Sequence, residues 1–151
     1  MKLLKILPFV AVCLTAPAYA QSLFDKLDAD DLSPTKVSIA DDATGGCWTN
    51  AGEAKSYAED QLRLAGVEVV QDDISPINTV FRVIVSADRD TAGWCIGSIE
   101  AKFMASVEFQ NKEILADLLD SNSYFQNRNN ANSAVLDLIK DTLTGGQFER
   151  R

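Results

Sequence analysis

The stretch that most limits how this chain can fold runs from Ile99 to Phe109. Ile99, Ala101, Phe103, Ala105, Val107 and Phe109 share one parity, whereas Ser98, Glu100, Lys102, Ser106 and Glu108 share the other, with Met104 the one apolar exception. Alternation with a period of two belongs to a β-strand, and a strand apolar on one side only belongs to an antiparallel sheet covered on one face and wet on the other. The rest of the chain must therefore supply partner strands and a single covering layer.

Two segments have the helical period that such a layer needs. Ala54, Tyr57, Ala58, Gln61, Leu62 and Ala65 recur on one face of a helix that Asn50 and Glu53 would open as a capping box, that Glu59 and Arg63 support at a spacing of four, and that Gly66 would stop. A second helix is expected from about Ala131 to Leu143, with Val135, Leu136, Ile139 and Leu143 as its buried stripe and Gly145 and Gly146 as its end.

Short strands are expected at Lys36 to Ala40, at Val67 to Val70 and at Thr79 to Ala87, where Phe81, Val83 and Val85 face one way. Glu113 to Leu119 also suits a helix, through Ile114, Leu115, Leu118 and Leu119; the reading adopted is a strand continuing toward Tyr124 and Phe125 after a turn at Gln110 to Lys112. Ser22 to Leu27 reads as a short amphipathic helical turn. The expected order is β-α-β-β-β-β-α, an α+β two-layer sandwich with a mixed four- to five-stranded sheet and two helices on one face.

At the start, Lys2 and Lys5 precede an apolar stretch from Ile6 to Ala16 and the small-x-small site Ala18-Tyr19-Ala20, the pattern of a secretory signal. The stretch is shorter than the roughly 20 apolar residues that span a bilayer, and Pro8 interrupts it. Cys13 follows Val12, where a lipobox wants Gly or Ala, so lipidation is not the expectation. The expected division is a signal peptide over 1–20, cleaved after Ala20, and a single α+β domain over 21–151, delivered to the periplasm, with no stable membrane insertion after cleavage.

Two cysteines then remain, Cys47 in the loop Asp41 to Thr49 and Cys95 after the polar turn Asp88 to Gly93. An even count in an oxidising compartment favours a disulfide between them. Redox chemistry is disfavoured because it usually uses a close C-x-x-C pair, and zinc because two thiolates without histidine complete only half of a tetrahedral shell. The topology tests the bridge. A parallel βαβ unit followed by a simple hairpin would put Cys47 and Cys95 at opposite ends of the sheet, so either Asp72 to Asn78 crosses the sheet, or the loop before Asn50 reaches down to Cys95, or the bridge is wrong; the expectation keeps the bridge and gives up the simple hairpin.

The chain has no histidine, which removes the Ser-His-Asp and Cys-His arrangements and the usual proton carrier near neutral pH. Without Lys2 and Lys5 the remaining 131 residues carry 12 Lys and Arg against 22 Asp and Glu, a net charge of −10. Nucleic acid and anionic lipid are repelled by such a surface. Acidic groups at Asp28, Asp30 and Asp31 and at Asp41 and Asp42 do not fit the EF-hand pattern, and no cofactor or metal is expected.

The segments ADDATGGCWTNAGEAKSYAEDQLRLAG and SYFQNRNNANSAVLDLIKDTL, taken with the signal and the cysteine pair, resemble small periplasmic proteins of proteobacteria. The helix-plus-meander layout is also similar to the N-terminal domain of the envelope protein TolB. Neither resemblance implies an activity. The function expected by elimination is a non-enzymatic module that binds a periplasmic envelope protein or a small ligand, with Trp94, Trp48 and Arg89 as candidate contact residues gathered by the bridge. Two alternatives are an inhibitor of a secreted hydrolase such as lysozyme or a protease, and an enzyme using carboxylates or a thiol.

Overall fold

The computed structural model describes residues 27–71, 77 and 79–144. The expected signal peptide and all of the expected Ser22 to Leu27 turn except Leu27 lie outside these residues. A helical turn does occur, as α1 over Ala29–Leu32, closed by a capping box between Asp28 and Asp31. It was not anticipated there and adds an element at the front of the expected order. Its Ala29 and Leu32 are buried.

The sheet has five strands: β1 (Thr35–Ala43), β2 (Val69–Val70), β3 (Thr79–Arg89), β4 (Cys95–Phe109) and β5 (Lys112–Asn127), in the spatial order β2-β1-β3-β4-β5. β1 runs parallel to both β2 and β3, while β3, β4 and β5 form an antiparallel meander. The segment expected to suit either helix or strand is strand throughout, and the turn before it is a two-residue loop in which Gln110 and Asn111 both have positive φ, the pairing whose twist suits a tight hairpin.

Two helices lie over one face, α2 (Ala51–Leu64) and α3 (Asn132–Thr144). Ala54, Ala58 and Leu62 from α2 and Val135, Ile139 and Leu143 from α3 enter the same core as Phe81, Val83, Val85, Ile99, Ala101 and Phe103 of the sheet. The α+β two-layer sandwich is thus what the chain builds. The helix-free face is polar where the alternation placed it: Lys102 sits 2.9 Å from Glu100 and 3.3 Å from Asp117. The hydrogen bond that Lys102 donates to Glu100, reinforced by the one to Asp117, holds the Lys102 pKa above the ordinary lysine value.

The expected strand at Val67 begins two residues later, because α2 takes Val67 for its own ending. Gly66, at φ +91, donates to the Arg63 carbonyl and Val67 donates to that of Leu62, the paired bonds of a Schellman stop, with Val67 buried beneath. β2 is left only two residues long, and that resolves the topological problem. Thr35 is level with both Val69 and Thr79, so the chain leaves β2 at the same end at which it enters β3 and need not recross the length of the sheet.

Candidate functional site

The ends of β1, β3 and β5 and the starts of β4, α2 and α3 meet at one end of the sandwich, joined by residues 44–50, 90–94 and 128–131. Cys47 and Cys95 are disulfide-bonded there and fully buried, with Cα atoms 5.4 Å apart and Ala43, Ala87 and Phe125 packed around them. The Cys47 carbonyl accepts the Ala131 N–H at 2.7 Å, which ties the first loop to the entry of α3. A buried bridge of this kind is typical of chains that fold in an oxidising compartment. Both sulfurs are bonded to each other, so neither is a nucleophile in this state.

The three candidate contact residues have different fates. Trp48 is buried in the main core and donates its indole Nε1–H to Asn50 Oδ1 at 2.7 Å. That hydrogen bond also explains why the expected capping box does not form: Asn50 is the N-cap of α2, but its side chain makes no cap bond and instead gives its amide to Glu53 at 3.0 Å.

Arg89 is engaged in holding the loops together. Its guanidinium donates to the carbonyls of Gly45 (2.7 Å), Gly93 (2.8 Å), Arg128 (3.1 Å) and Asn129 (2.8 Å), one or two from each connecting segment. A Cβ on Gly45, itself at φ +60, would stand 2.7 Å from the Arg89 Cβ, so glycine is what lets the first loop come this close. Arg89→Ala and Arg89→Lys are both expected to lower the unfolding free energy by about 2 kcal/mol, since hydrogen bonds from a charged donor are lost and a single ammonium cannot replace the planar fork. Guanidinium unfolding would measure the loss; a lysine variant as stable as the parent would show that the fork is dispensable.

Trp94 is the half-exposed member. Asp90 shapes its turn, accepting the N–H groups of Ala92 and Trp94 on Oδ1 at 2.9 and 2.8 Å, and the Arg128 guanidinium lies 4.8 Å from the Trp94 ring centroid. Arg128 escaped the sequence reading because its partner lies across two loops; a basic residue in a polar loop carries no signal of stacking.

On the helix-free face, near the ends of β1, β3 and β5 and the start of β4, is an open groove of about 660 Å³. The register builds it from two cross-strand rows, Asp42, Ser86, Ser98 and Tyr124 in one and Asp88, Ile96 and Gln126 in the other. Tyr124 is 86% exposed and Ile96 47% exposed. Acids thus stand on the β1–β3 side and an aromatic ring on the β5 side. Thr44 Oγ1 donates to Asp88 and fixes that carboxylate. Tyr124 and Gln126 could have been found from the wet-face parity of β5, but only after settling that this segment is a strand.

No group of three metal-ligating side chains occurs among the described residues, and none of the described helices is long and apolar enough to cross a membrane. No protein-family profile matches the chain, and no curated protein matches it. Among solved structures, the PelC dodecamer from Paraburkholderia phytofirmans is similar at a TM-score of 0.46 and 14% identity, over 82% of this chain and 92% of that one. A minor lipoprotein from Acinetobacter baumannii gives 0.32 and 12%, over 73% and 91%, and a lipoprotein from Neisseria meningitidis gives 0.36 and 14%, over 74% and 96%. Scores at this level do not place the chain in any of those families.

Proposed function

We propose that this chain is a secreted, non-enzymatic module of the bacterial periplasm that binds an extended, positively charged segment of another envelope protein. The observation that carries the reading is the groove at the bridged end. It presents the exposed Tyr124 ring and Ile96 on one side and Asp42 and Asp88 on the other, with Trp94 two residues before Ile96 and Arg128 two residues after Gln126 in sequence. Aromatic and arginine side chains are typical anchors of interfaces, and the net negative surface favours encounter with a basic partner. Arg89 and the bridge support the reading indirectly, because they fix the loops and so limit the entropy lost on binding.

Tyr124→Ala and Trp94→Ala are each expected to weaken capture of the partner from periplasmic extract by roughly tenfold while leaving the melting temperature nearly unchanged. Capture unaffected by both substitutions would remove the groove from consideration, and unfolding of both variants would mean that these rings serve stability alone. A secreted basic hydrolase is one occupant of this chemistry. Lysozyme and protease activities assayed with excess protein distinguish an inhibitor from a module that binds without inhibiting.

A further inference from the structure

Arg82 stands on β3, the central strand of the sheet, on the face without helices, with Ser38 of β1 on one side and Lys102 of β4 on the other. Its Nε is buried and has no hydrogen-bond partner, and no described residue forms an ion pair with it. Two physical rules are broken here at once. A charged group's donor withdrawn from water without an acceptor costs free energy, and so do two cations directly opposite each other on neighbouring strands. Lys102 is compensated by Glu100 and Asp117, but neither acid is paired with Arg82. In a chain with 22 Asp and Glu, this guanidinium alone at the centre of the face is left uncompensated. Local rules broken with no gain in stability mark positions that serve a function.

We propose that Arg82 anchors a binding site, separate from the groove at the bridged end, for an anionic oxygen group carried on an apolar body. The guanidinium supplies the planar donor fork that a carboxylate or a phosphate fits, and an anion there satisfies Nε and offsets the repulsion from Lys102. A change of rotamer along the flexible stem brings Nε out to the ligand without moving the strand. The apolar body follows from what surrounds the charge. Val80 and Ile84 flank Arg82 on its own strand, Met104 is level with Val80 and Ala40 with Ile84, and all four are half-buried on the same face. The protein's net negative charge opposes the approach of any anion, so a small free ion gains little here and contact with these side chains supplies the rest of the affinity.

The test uses the secreted chain with its bridge intact and follows the Arg82 Nε–H signal by NMR while octanoate is added. The signal is expected to shift and to saturate. Acetate, which has the charge without the chain, is expected to bind at least about tenfold more weakly, and octyltrimethylammonium, which has the chain with the opposite charge, to leave the signal in place. Octyl phosphate distinguishes the two sources of the anionic group: tighter binding than octanoate assigns a phosphate ester, weaker binding a carboxylate. Arg82→Met keeps an apolar stem and removes the guanidinium. It is expected to weaken octanoate binding, read at the Ile84 amide, by about tenfold, with a melting temperature no lower than the parent's. An Arg82 signal moved by neither octanoate nor octyl phosphate overturns the proposal, whatever the variant does. So does octanoate binding that survives Arg82→Met, or a fall in that variant's melting temperature, which would show that the guanidinium is already paired within the fold.

Discussion

Replacing Cys47 and Cys95 together by alanine is expected to lower the unfolding free energy by about 4 kcal/mol on the chain-entropy estimate. The two residues are 48 apart in sequence, so the bridge closes a large loop and withdraws many conformations from the unfolded chain. The expected loss falls mainly on that side of the equilibrium. In the folded protein the first loop keeps other ties, the Cys47 carbonyl to Ala131 and the Gly45 carbonyl to Arg89, so the native fold is expected to survive the change. Changing both residues avoids leaving a single thiol free to cross-link chains. Guanidinium unfolding of the double variant measures the effect, and a free energy within about 1 kcal/mol of the parent would show that folding, not the bridge, restricts these loops.

Phe103→Ala should cost a comparable amount, about 4 kcal/mol, whereas Phe109→Ala should cost less than about 0.5 kcal/mol. The two phenylalanines belong to the same strand and the same parity. Phe103 is fully buried, with its ring centroid 4.8 Å from that of Phe81 directly across the sheet, and truncating it opens a cavity that the surrounding side chains cannot fill. Phe109 lies past the reach of the helices and has little to lose. Equal effects at the two positions would mean that the far end of the β4–β5 hairpin is folded back into a core in solution. A small effect at Phe103 would mean that the meander repacks around the gap.

That pair also shows what the sequence could and could not express. The alternation from Ile99 to Phe109 specified the strand, its faces and the side the helices would cover, because period two is a property of neighbouring residues. It could not show where the covering layer stops, since burial at Phe103 depends on the helices packed over it and exposure at Phe109 on the lack of any described element beyond it. The same limit applies at the bridged end. Trp48, Trp94 and Arg89 could be singled out by their nearness in sequence to the cysteines and the turn before Cys95, but not their separate fates. The partners of Arg89 are main-chain carbonyls of four residues scattered from Gly45 to Asn129, and carbonyls look alike in every residue. The groove was hidden by an earlier ambiguity, because Tyr124 joins Ser98, Ser86 and Asp42 only if Lys112–Asn127 is a strand in this register. Val67 misled for a local reason: its burial under the end of α2 gives it the same apolar identity as a strand residue.

The parallel pairing of β1 with β3 also sets a timetable for any chain that emerges from its N-terminus. β1 ends at Ala43, and its neighbours on either side begin only at Val69 and Thr79. Until the second of these has been delivered, the strand that will lie inside the sheet has at most the two residues of β2 to pair with. β3, β4 and β5 then arrive with their partners in immediate succession, joined by short turns, and α3 comes after them to complete the covering layer. Cys47 must wait through all of β3 for Cys95. Closure of the bridge therefore cannot come before β1, β2 and β3 have all been delivered, at a moment when β4 has only begun.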